Sequence, residues 1–321
     1  MEPRLQLKVA ARRQEADDII SLELVSADGL LLPEFTAGAH IDVHGPGGLV
    51  RQYSLCNSPA DRAKYLIGVL REPDSRGGSR WLHDQVAIAD TVSASHPKNH
   101  FELAPHAPAG SLLLAGGIGV TPVLAMAEHL AHAGERFEFH YCARSRSRMA
   151  FVPRIAASPY AGVVRFHHDD GPPGQLFDAA ATLQAQPAGT HLYVCGPAGF
   201  MNHVLDTARR LGWPEAHLHR EYFAAAPIDH AQDGAFELEL RSSGRIIPVA
   251  AGESAAQALA AHGVSIAVSC EQGVCGTCLT RVLEGVPDHK DLYLTDEEHA
   301  RNDCFTPCCS RALSKRLVLD L

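Results

Sequence analysis

The sequence contains no long apolar segment. None of its hydrophobic runs reaches the roughly 18 residues that a bilayer-spanning helix needs. The opening stretch, MEPRLQLKVAARRQEADDII, also lacks the continuous apolar core of a secretory signal. These absences argue against a membrane-spanning protein, and they predict a cytoplasmic chain with no membrane partner.

The sequence also lacks an excess of positive charge. It has 28 lysines and arginines against 37 aspartates and glutamates, so its formal net charge is −9. Nucleic-acid binding depends on clustered cations that neutralise phosphates, so this balance argues against a nucleic-acid partner. It is compatible with docking to a basic protein. Despite 19 histidines there is no H-E-x-x-H motif, and we interpret nearly all histidines as surface residues or residues with internal partners.

Nine cysteines are present, and in a cytoplasmic chain we do not expect them to form disulfides. Four of them have an informative spacing. Cys270, Cys275 and Cys278 form C-x4-C-x2-C, and Cys308 follows after 29 intervening residues. This spacing is typical of plant-type [2Fe–2S] ligation, in which four thiolates converge on two irons.

Two alternatives accompany this prediction. A structural zinc site usually pairs two C-x2-C knuckles, and here there is only one. The fourth ligand is ambiguous because Cys308 and Cys309 are adjacent. The spacing favours Cys308 as the fourth ligand. Cys309 would then point in the opposite direction from the same strand, and Cys304 is a weaker candidate. We expect Gly273 and Gly276 to let the loop fold around the cluster, where a Cβ would collide.

The residues around these cysteines predict an α+β domain of the β-grasp type over residues 235–321. Alternation of apolar and polar residues from Phe236 to Leu240 indicates a half-buried strand. Ser254 followed by Gln257 is a capping-box pattern. It opens a predicted helix at 255–262, and further strands are predicted at 246–249, 264–268 and 317–321.

Residues 106–226 alternate between predicted strands and helices, which indicates an α/β domain with a parallel sheet. A buried strand at 111–115 runs into a glycine-rich turn with Gly117 and Gly119. Thr121 is the expected N-cap of the following helix. A helix N-terminus preceded by bare glycine backbone suits a pyrophosphate, although the match to G-x-G-x-x-G is incomplete.

A second strand–turn–helix follows later in the same segment. The strand at 191–195 ends in Cys195, Gly196 and Pro197 before the next predicted helix. Because ligands of parallel sheets lie at the carboxyl ends of the strands, we expect both turns to face one dinucleotide site.

Residues 1–105 show strand alternation punctuated by glycine and proline, with no strong helix signal before Trp81, and they predict a small antiparallel barrel. Arg51-Gln-Tyr53-Ser54 places a cation, an aromatic ring and a hydroxyl on one strand. The turn Arg76-Gly77-Gly78-Ser79 offers backbone N–H groups, a hydroxyl and a guanidinium that suit a terminal phosphate. Taken singly, each motif is more often an ordinary surface turn than a cofactor site.

Taken together, the three segments resemble the phthalate dioxygenase reductase family over essentially the whole length. The motifs that carry the resemblance are Arg51–Ser54, Ser75–Ser79, Ala115–Pro122, Tyr141–Arg144, Cys195–Pro197, the cysteine run, and the tail from Cys308 to Leu321. The resemblance implies the order flavin barrel, nicotinamide domain, C-terminal ferredoxin, and it implies FMN rather than FAD.

The resemblance also implies roles for individual residues. Arg51 and the Arg76–Ser79 loop would bind the FMN phosphate, Tyr53 would line the isoalloxazine, and Ser54 would hydrogen-bond near its N5. Phe223 would lie close to the flavin. The residues expected against the nicotinamide nucleotide are Gly117, Gly119, Thr121, Cys195, Gly196 and Pro197.

These features predict the reductase of a Rieske-type oxygenase or demethylase. A nicotinamide gives two electrons as hydride and an iron–sulfur cluster accepts one, so a flavin is needed between them, and no general base is required.

We expect NADH, although Arg144, Arg146 and Arg148 could favour NADPH through a 2′-phosphate. An acid-rich stretch over 288–303 is either a solvated face or a docking surface for a basic oxygenase. The alternatives are a stand-alone NAD(P)H oxidoreductase for quinones or ferric chelates, and an iron–sulfur redox sensor.

Overall fold

A computed structural model describes residues 4–73, 77–223 and 233–321 of the chain. The chain divides into two compact units, Met1–Glu221 and Tyr222–Leu321. The first unit contains two sheets and the second contains the cysteine-rich segment. Within the described part of the chain, no helix combines the length and apolar character that crossing a bilayer requires.

The first sheet of unit one is antiparallel and has six strands in the order β4-β3-β6-β1-β2-β5. Its elements are β1 Leu5–Ala16, β2 Ile19–Ser26, β3 His40–His44, β4 Val50–Ser54, β5 Tyr65–Leu70, helix α1 Gly78–Asp84 and β6 Thr91–Ala94. An isolated antiparallel bridge between Leu55 and Ile67 joins the two edges. This bridge closes the sheet into the expected barrel, which is filled by alternate inward side chains such as Leu7, Val9 and Tyr65.

The second sheet of unit one is entirely parallel, in the order β11-β10-β7-β8-β9. Its elements are β7 Ser111–Gly116, α2 Val120–Ala133, β8 Phe137–Ala143, α3 Val152–Ala156, β9 Val164–His168, α4 Ala179–Gln184, β10 His191–Cys195, α5 Ala198–Arg210 and β11 Leu218–Glu221. After β7 the chain adds β8 and then β9 on one side of that strand. It then returns and adds β10 and β11 on the other side. The switch point between β7 and β10 is where an open α/β sheet forms its ligand crevice.

The second unit is built on a mixed sheet in the order β13-β12-β18-β14-β16. Its elements are β12 Phe236–Leu240, β13 Ile246–Val249, α6 Ala255–Ala261, β14 Thr280–Glu284, β15 Pro287–Asp288, α7 Asp296–Arg301, β16 Cys304–Phe305, β17 Arg311–Ala312 and β18 Arg316–Leu319. The capping box of Ser254 and Gln257 at α6 is present as predicted. The α+β class expected for this segment is therefore observed.

One predicted strand is absent. Residues 264–268 form no strand; they are irregular chain between the end of α6 and the cysteine loop. Val264 and Ile266 pack against the core of the unit, so their apolar character reflects anchoring of this segment. An apolar run this short cannot distinguish a strand from a packed loop.

Candidate functional site

The four cysteines chosen by spacing come together in the second unit. Cys270, Cys275 and Cys278 lie in the loop before β14, and Cys308 lies in a turn after β16. The thiol of Cys270 contacts those of Cys275 and Cys308, and the thiol of Cys278 also contacts Cys308. One loop and one turn thus present four sulfurs to a common point, which is the arrangement a [2Fe–2S] cluster needs. The expectation that the distant ligand lies on a strand is wrong, because that residue occupies a turn.

The neighbouring Cys309 has different surroundings. Its thiol lies 3.2 Å from the Thr306 hydroxyl and 3.8 Å from the Ser310 hydroxyl, in a buried polar pocket. It also touches Cys308. Cys304 lies in β16, paired with Arg281, and burial raises the pKa of its thiol to about 11. The Cys308 thiol thus contacts two cysteines of the loop, whereas the Cys309 thiol contacts Thr306, Ser310 and Cys308; Cys308 as the fourth ligand stays a prediction.

Gly273 and Gly276 both adopt positive φ angles, +72° and +66°. A Cβ on Gly273 would lie 2.4 Å from the Cys309 sulfur, and one on Gly276 would lie 2.2 Å from the Tyr293 ring. The glycines therefore let the loop pack against the rest of its own unit. The observed clearance is from Cys309 and Tyr293, and clearance around the cluster stays a prediction.

In the first unit, the barrel motif and the glycine turn meet. Arg51, on β4, packs over the start of α1, where a Cβ on Gly78 would lie 2.4 Å from its Cγ. Gly77 has φ +101°, and the Ser79 hydroxyl accepts a hydrogen bond from the Glu72 N–H at 3.2 Å. The guanidinium and the bare backbone of the turn are thus neighbours, as phosphate binding would require. Arg76 lies outside the described residues.

Tyr53 and Ser54 occupy the end of β4. Tyr53 packs against the barrel core, and burial raises the pKa of its phenol far above the ordinary range. Ser54 is buried, and its hydroxyl donates to a Glu221 carboxylate oxygen at 3.4 Å. Since Glu221 ends the last strand of the parallel sheet, this contact joins the barrel motif to the nucleotide-binding crevice.

The switch point of the parallel sheet is closely packed. A Cβ on Gly119 would lie 2.3 Å from the carbonyl oxygen of Cys195, and one on Gly196 would lie 2.9 Å from the Cα of Gly116. The turns after β7 and β10 therefore touch through glycine backbone. Gly117, at φ +55°, shapes the first turn, and Pro197 precedes α5. The two turns expected to share a ligand lie side by side.

Thr121 does not cap its helix. The helix α2 begins at Val120 with Gly119 as its N-cap, and the Thr121 hydroxyl donates to the Ile118 carbonyl at 3.0 Å. Its methyl group faces the barrel, 2.7 Å from where a Cβ on Gly68 would lie. The N-cap prediction is wrong because the turn continues into the helix one residue earlier than the threonine.

Sequence analysis missed Glu221 as a site residue. It pairs with Cys195 across β10 and β11, and burial raises the pKa of its carboxyl to about 8. The sequence held one usable signal, because Glu221 is an acidic residue at the carboxyl end of a strand. The resemblance pointed instead to Phe223, two positions later. Phe223 itself is exposed.

Comparison with known proteins agrees with this geometry. Residues 238–313 match the family model described as "2Fe-2S iron-sulfur cluster binding domain". Residues 94–218 match the model "Dimethylamine monooxygenase subunit DmmA-like, N-terminal domain". Vanillate O-demethylase oxidoreductase of Pseudomonas sp. (strain HR199 / DSM 7063) is 55% identical over 317 residues, which cover 99% of this chain and 100% of that protein.

The solved structure of phthalate dioxygenase reductase, described as modular for electron transfer from pyridine nucleotides to [2Fe–2S], is 37% identical with a TM-score of 0.76. The match covers 100% of this chain and 98% of that one. The chain belongs to the phthalate dioxygenase reductase-like family. The family predicted from the sequence motifs is confirmed, and so is its fold of antiparallel flavin barrel, parallel nucleotide-binding sheet and ferredoxin-like [2Fe–2S] domain.

Membership fixes the class of activity. The chain is an NAD(P)H-dependent flavin and [2Fe–2S] oxidoreductase, a reductase of the multi-component oxygenase type. Its relatives differ in what they reduce: tetrachlorobenzoquinone reductase of Sphingobium chlorophenolicum is 39% identical, over 99% of this chain and 98% of that protein.

Proposed function

We propose that this chain takes hydride from NADH onto FMN and delivers single electrons through its [2Fe–2S] cluster to a Rieske-type demethylase or dioxygenase in the cytoplasm. The observation that carries the proposal is the contact between Ser54 and Glu221. It brings the barrel residue assigned to the flavin to the edge of the sheet assigned to the nicotinamide, where hydride transfer needs the two rings in register.

The flavin would lie along β4. Arg51 and the backbone of Gly77, Gly78 and Ser79 would hold its phosphate, because a charged fork and adjacent N–H groups meet there. Arg76 and Phe223 keep their assignments from family resemblance, as a phosphate ligand and an aromatic cover. Bound flavin supplies the exchange between one hydride and two single electrons.

Next to the flavin, Tyr53 would line its ring and Ser54 would donate near N5. The Ser54 hydroxyl currently points at Glu221, whose carboxyl is protonated near neutral pH because burial raises its pKa to about 8. A neutral carboxyl at this junction keeps negative charge away from the path of the hydride. The residues of the chain thus orient and shield the reacting rings, and no general base is needed.

The nicotinamide nucleotide would occupy the switch-point crevice. Gly117, Gly119, Gly196 and Pro197 would present backbone to it, and at Gly119 and Gly196 no Cβ fits between the two turns. Cys195 would lie beside the ring; it is fully buried, and burial raises the pKa of its thiol well above the usual value. It would therefore act as a neutral contact. Thr121 would contribute by packing the turn against the barrel.

NADH is proposed over NADPH because negatively charged residues follow β9 at the carboxyl edge of the parallel sheet. Asp169 and Asp170 follow β9, and the Asp169 N–H bonds to the Ala143 carbonyl at the end of β8. Carboxylates at this edge would repel a 2′-phosphate. Of the three arginines that could favour NADPH, Arg148 is paired with Asp18 at 3.4 Å. Asp170→Ser should therefore raise kcat/KM for NADPH relative to NADH, and an unchanged ratio would contradict this assignment.

In the second unit, Cys270, Cys275, Cys278 and Cys308 would hold the cluster. A zinc site is disfavoured because a second C-x2-C knuckle is absent from the sequence. The exposed acidic residues beside the cysteines, such as Asp296, Glu297 and Asp303, would suit a basic oxygenase surface, whereas Asp291 of the same stretch is buried.

The decisive experiment measures electron delivery. Purified protein should be brown, with one FMN released per chain, and Cys275→Ser should keep NADH-to-flavin reduction but lose coupled turnover with a purified vanillate-type oxygenase. A colourless zinc protein would overturn the proposal. Rapid quinone or ferric-chelate reduction by wild type, without any coupled oxygenase turnover, would favour the stand-alone oxidoreductase instead.

A further inference from the structure

A second group of metal-binding side chains lies in the ferredoxin-like unit, apart from the cysteines. His289 follows β15, Asp291 lies in the next loop, and His299 is on α7. One ligand atom from each lies within 4.8 Å of the others. None of the three is needed for the electron relay, and the sequence analysis treated the histidines as ordinary surface or internally paired residues.

The carboxylate is the fixed member of this group. The Asp291 side chain is fully buried. Its Oδ2 accepts the Leu294 N–H at 2.9 Å, and its Oδ1 accepts the Ser310 hydroxyl at 3.2 Å. Neutral donors that hold a ligating carboxylate in place are the usual surroundings of a protein metal site.

The imidazoles approach Asp291 without completing hydrogen bonds. The His289 side chain is 10% exposed, and neither of its ring nitrogens has a hydrogen-bond partner in good geometry; the same holds for Nε2 of His299. Their rings stack at 4.3 Å. Burial lowers the pKa of His289, which favours the neutral imidazole that can bind a metal ion. Buried imidazole nitrogens without partners are costly unless something binds them.

The spacing suits one small ion. Nε2 of His299 lies 3.3 Å from Oδ1 of Asp291, and Nδ1 of His289 lies 3.7 Å from the same oxygen. Tetrahedral coordination with bonds of about 2.0–2.1 Å places ligand atoms about 3.3–3.4 Å apart. Small rotations of the His289 ring would complete the set.

We propose that His289, Asp291 and His299 bind one divalent transition-metal ion, Zn²⁺ by the nature of the donors, at a site separate from the [2Fe–2S] cysteines. Two imidazoles and one carboxylate form the N2O set that Zn²⁺ accepts, with the fourth position left for water. The inference goes beyond the electron-transfer function and does not depend on it.

The site has a structural consequence for the cysteine loop. The Leu292 N–H donates to the Gly273 carbonyl at 3.0 Å, and a Cβ on Gly273 would lie 2.9 Å from the Asp291 Cβ. An ion bound to Asp291 would therefore tie α7 and the 289–292 segment to the back of the loop that carries Cys270, Cys275 and Cys278. Its role is to stabilise that loop; no redox step is assigned to it.

Zn²⁺ itself is the probe, applied to holoprotein whose iron and sulfide contents show an intact cluster. Equilibrium dialysis after chelator washing should give one tight Zn²⁺ per chain for wild type. Loss of a residue that hydrogen-bonds to a metal ligand weakens metal binding roughly 10–100-fold, and Ser310→Ala should fall within that range. His289→Gln and His299→Gln each remove a ligand, so each should weaken Zn²⁺ binding by more than that. The matched control is His262→Gln, a histidine of the same unit whose Nδ1 bonds the Ala258 carbonyl at 2.9 Å; it should bind like wild type.

A second measurement keeps the test independent of folding defects. Zinc-edge absorption of the wild-type complex should show nitrogen and oxygen ligands without sulfur, and Zn²⁺ should raise the unfolding midpoint of wild type but not of His299→Gln. Sulfur ligands would place the ion on the cysteines and overturn the proposal. So would equal Zn²⁺ uptake by wild type and the folded double variant His289→Gln/His299→Gln.

Discussion

The hydroxyl of Ser54, at the end of a barrel strand, donates to the carboxylate of Glu221, at the end of the last parallel strand, over 3.4 Å. Through this contact two sheets of different type share one polar junction inside the first unit. Ser54 is buried at this junction, and Glu221 is partly buried. Its carboxyl therefore has an unusual proton affinity, and this leads to the first prediction.

Glu221→Gln should flatten the pH dependence of stability. The folded-state pKa of this carboxyl is about 8 against an ordinary value of 4.5. Between these pH values the folded chain holds a proton that the unfolded chain has released, so Glu221 makes stability fall as pH rises from about 4.5 to 8. Denaturant midpoints of the flavin-saturated proteins at several pH values provide the measurement. Histidine contributions are common to both proteins and cancel in the difference; parallel curves would show that this carboxyl is not buried.

Gly119→Ala should disrupt the switch-point crevice. The new Cβ would lie 2.3 Å from the Cys195 carbonyl, so the two turns must separate. We expect a destabilisation of about 1–3 kcal/mol and a raised KM for NADH, because overpacking against backbone cannot relax by side-chain rotation. Gly199→Ala is the matched control, since it lies in α5 with open space around its Cβ position. Similar kinetics for both variants would contradict the packing argument.

Cys308→Ser and Cys309→Ser should behave differently although the residues are adjacent. The Cys308 thiol contacts Cys270 and Cys278, whereas the Cys309 thiol lies against Thr306 and Ser310. Iron and sulfide analysis should find about two irons per chain in Cys309→Ser and a lost or unstable cluster in Cys308→Ser. The reverse pattern would make Cys309 the ligand and would require the turn to rotate.

Arg311→Met should destabilise the second unit strongly. Arg311 is buried, pairs with buried Asp233 at 3.3 Å, donates to the carbonyls of Gly234, Ala250 and Glu253, and lies over the Phe236 ring. In the variant, Lys290 still lies beside Asp233, but three backbone carbonyls lose their hydrogen-bond donor. We expect the free energy of unfolding to fall by about 3–5 kcal/mol. Denaturation followed through cluster absorbance would measure it.

The control for that variant is Arg316→Met, which breaks exposed ion pairs with Glu237 and Glu239. Exposed pairs contribute little because water already solvates both charges, so the midpoint should hardly move. Equal losses in the two variants would show that burial of Arg311 does not matter to the unit.

Local sequence rules predicted much of the architecture. The strand from His191 to Cys195 and the capping box of Ser254 and Gln257 were found at the expected positions, because both depend on residues close in the chain. The strand predicted at 264–268 was wrong because burial, and not pairing, explains its apolar residues. Thr121 was misplaced because helix α2 begins one residue before it, at Val120.

By itself the sequence determined the electron-transfer class and three kinds of domain, since cysteine spacing, glycine turns and strand periodicity are local properties. Only the tertiary structure decided which way the thiols of Cys308 and Cys309 point, that Glu221 meets Ser54 across 167 positions of chain, and that His289, Asp291 and His299 converge. These relationships join residues far apart or on separate elements. Packing sets such distances, and no local pattern records them.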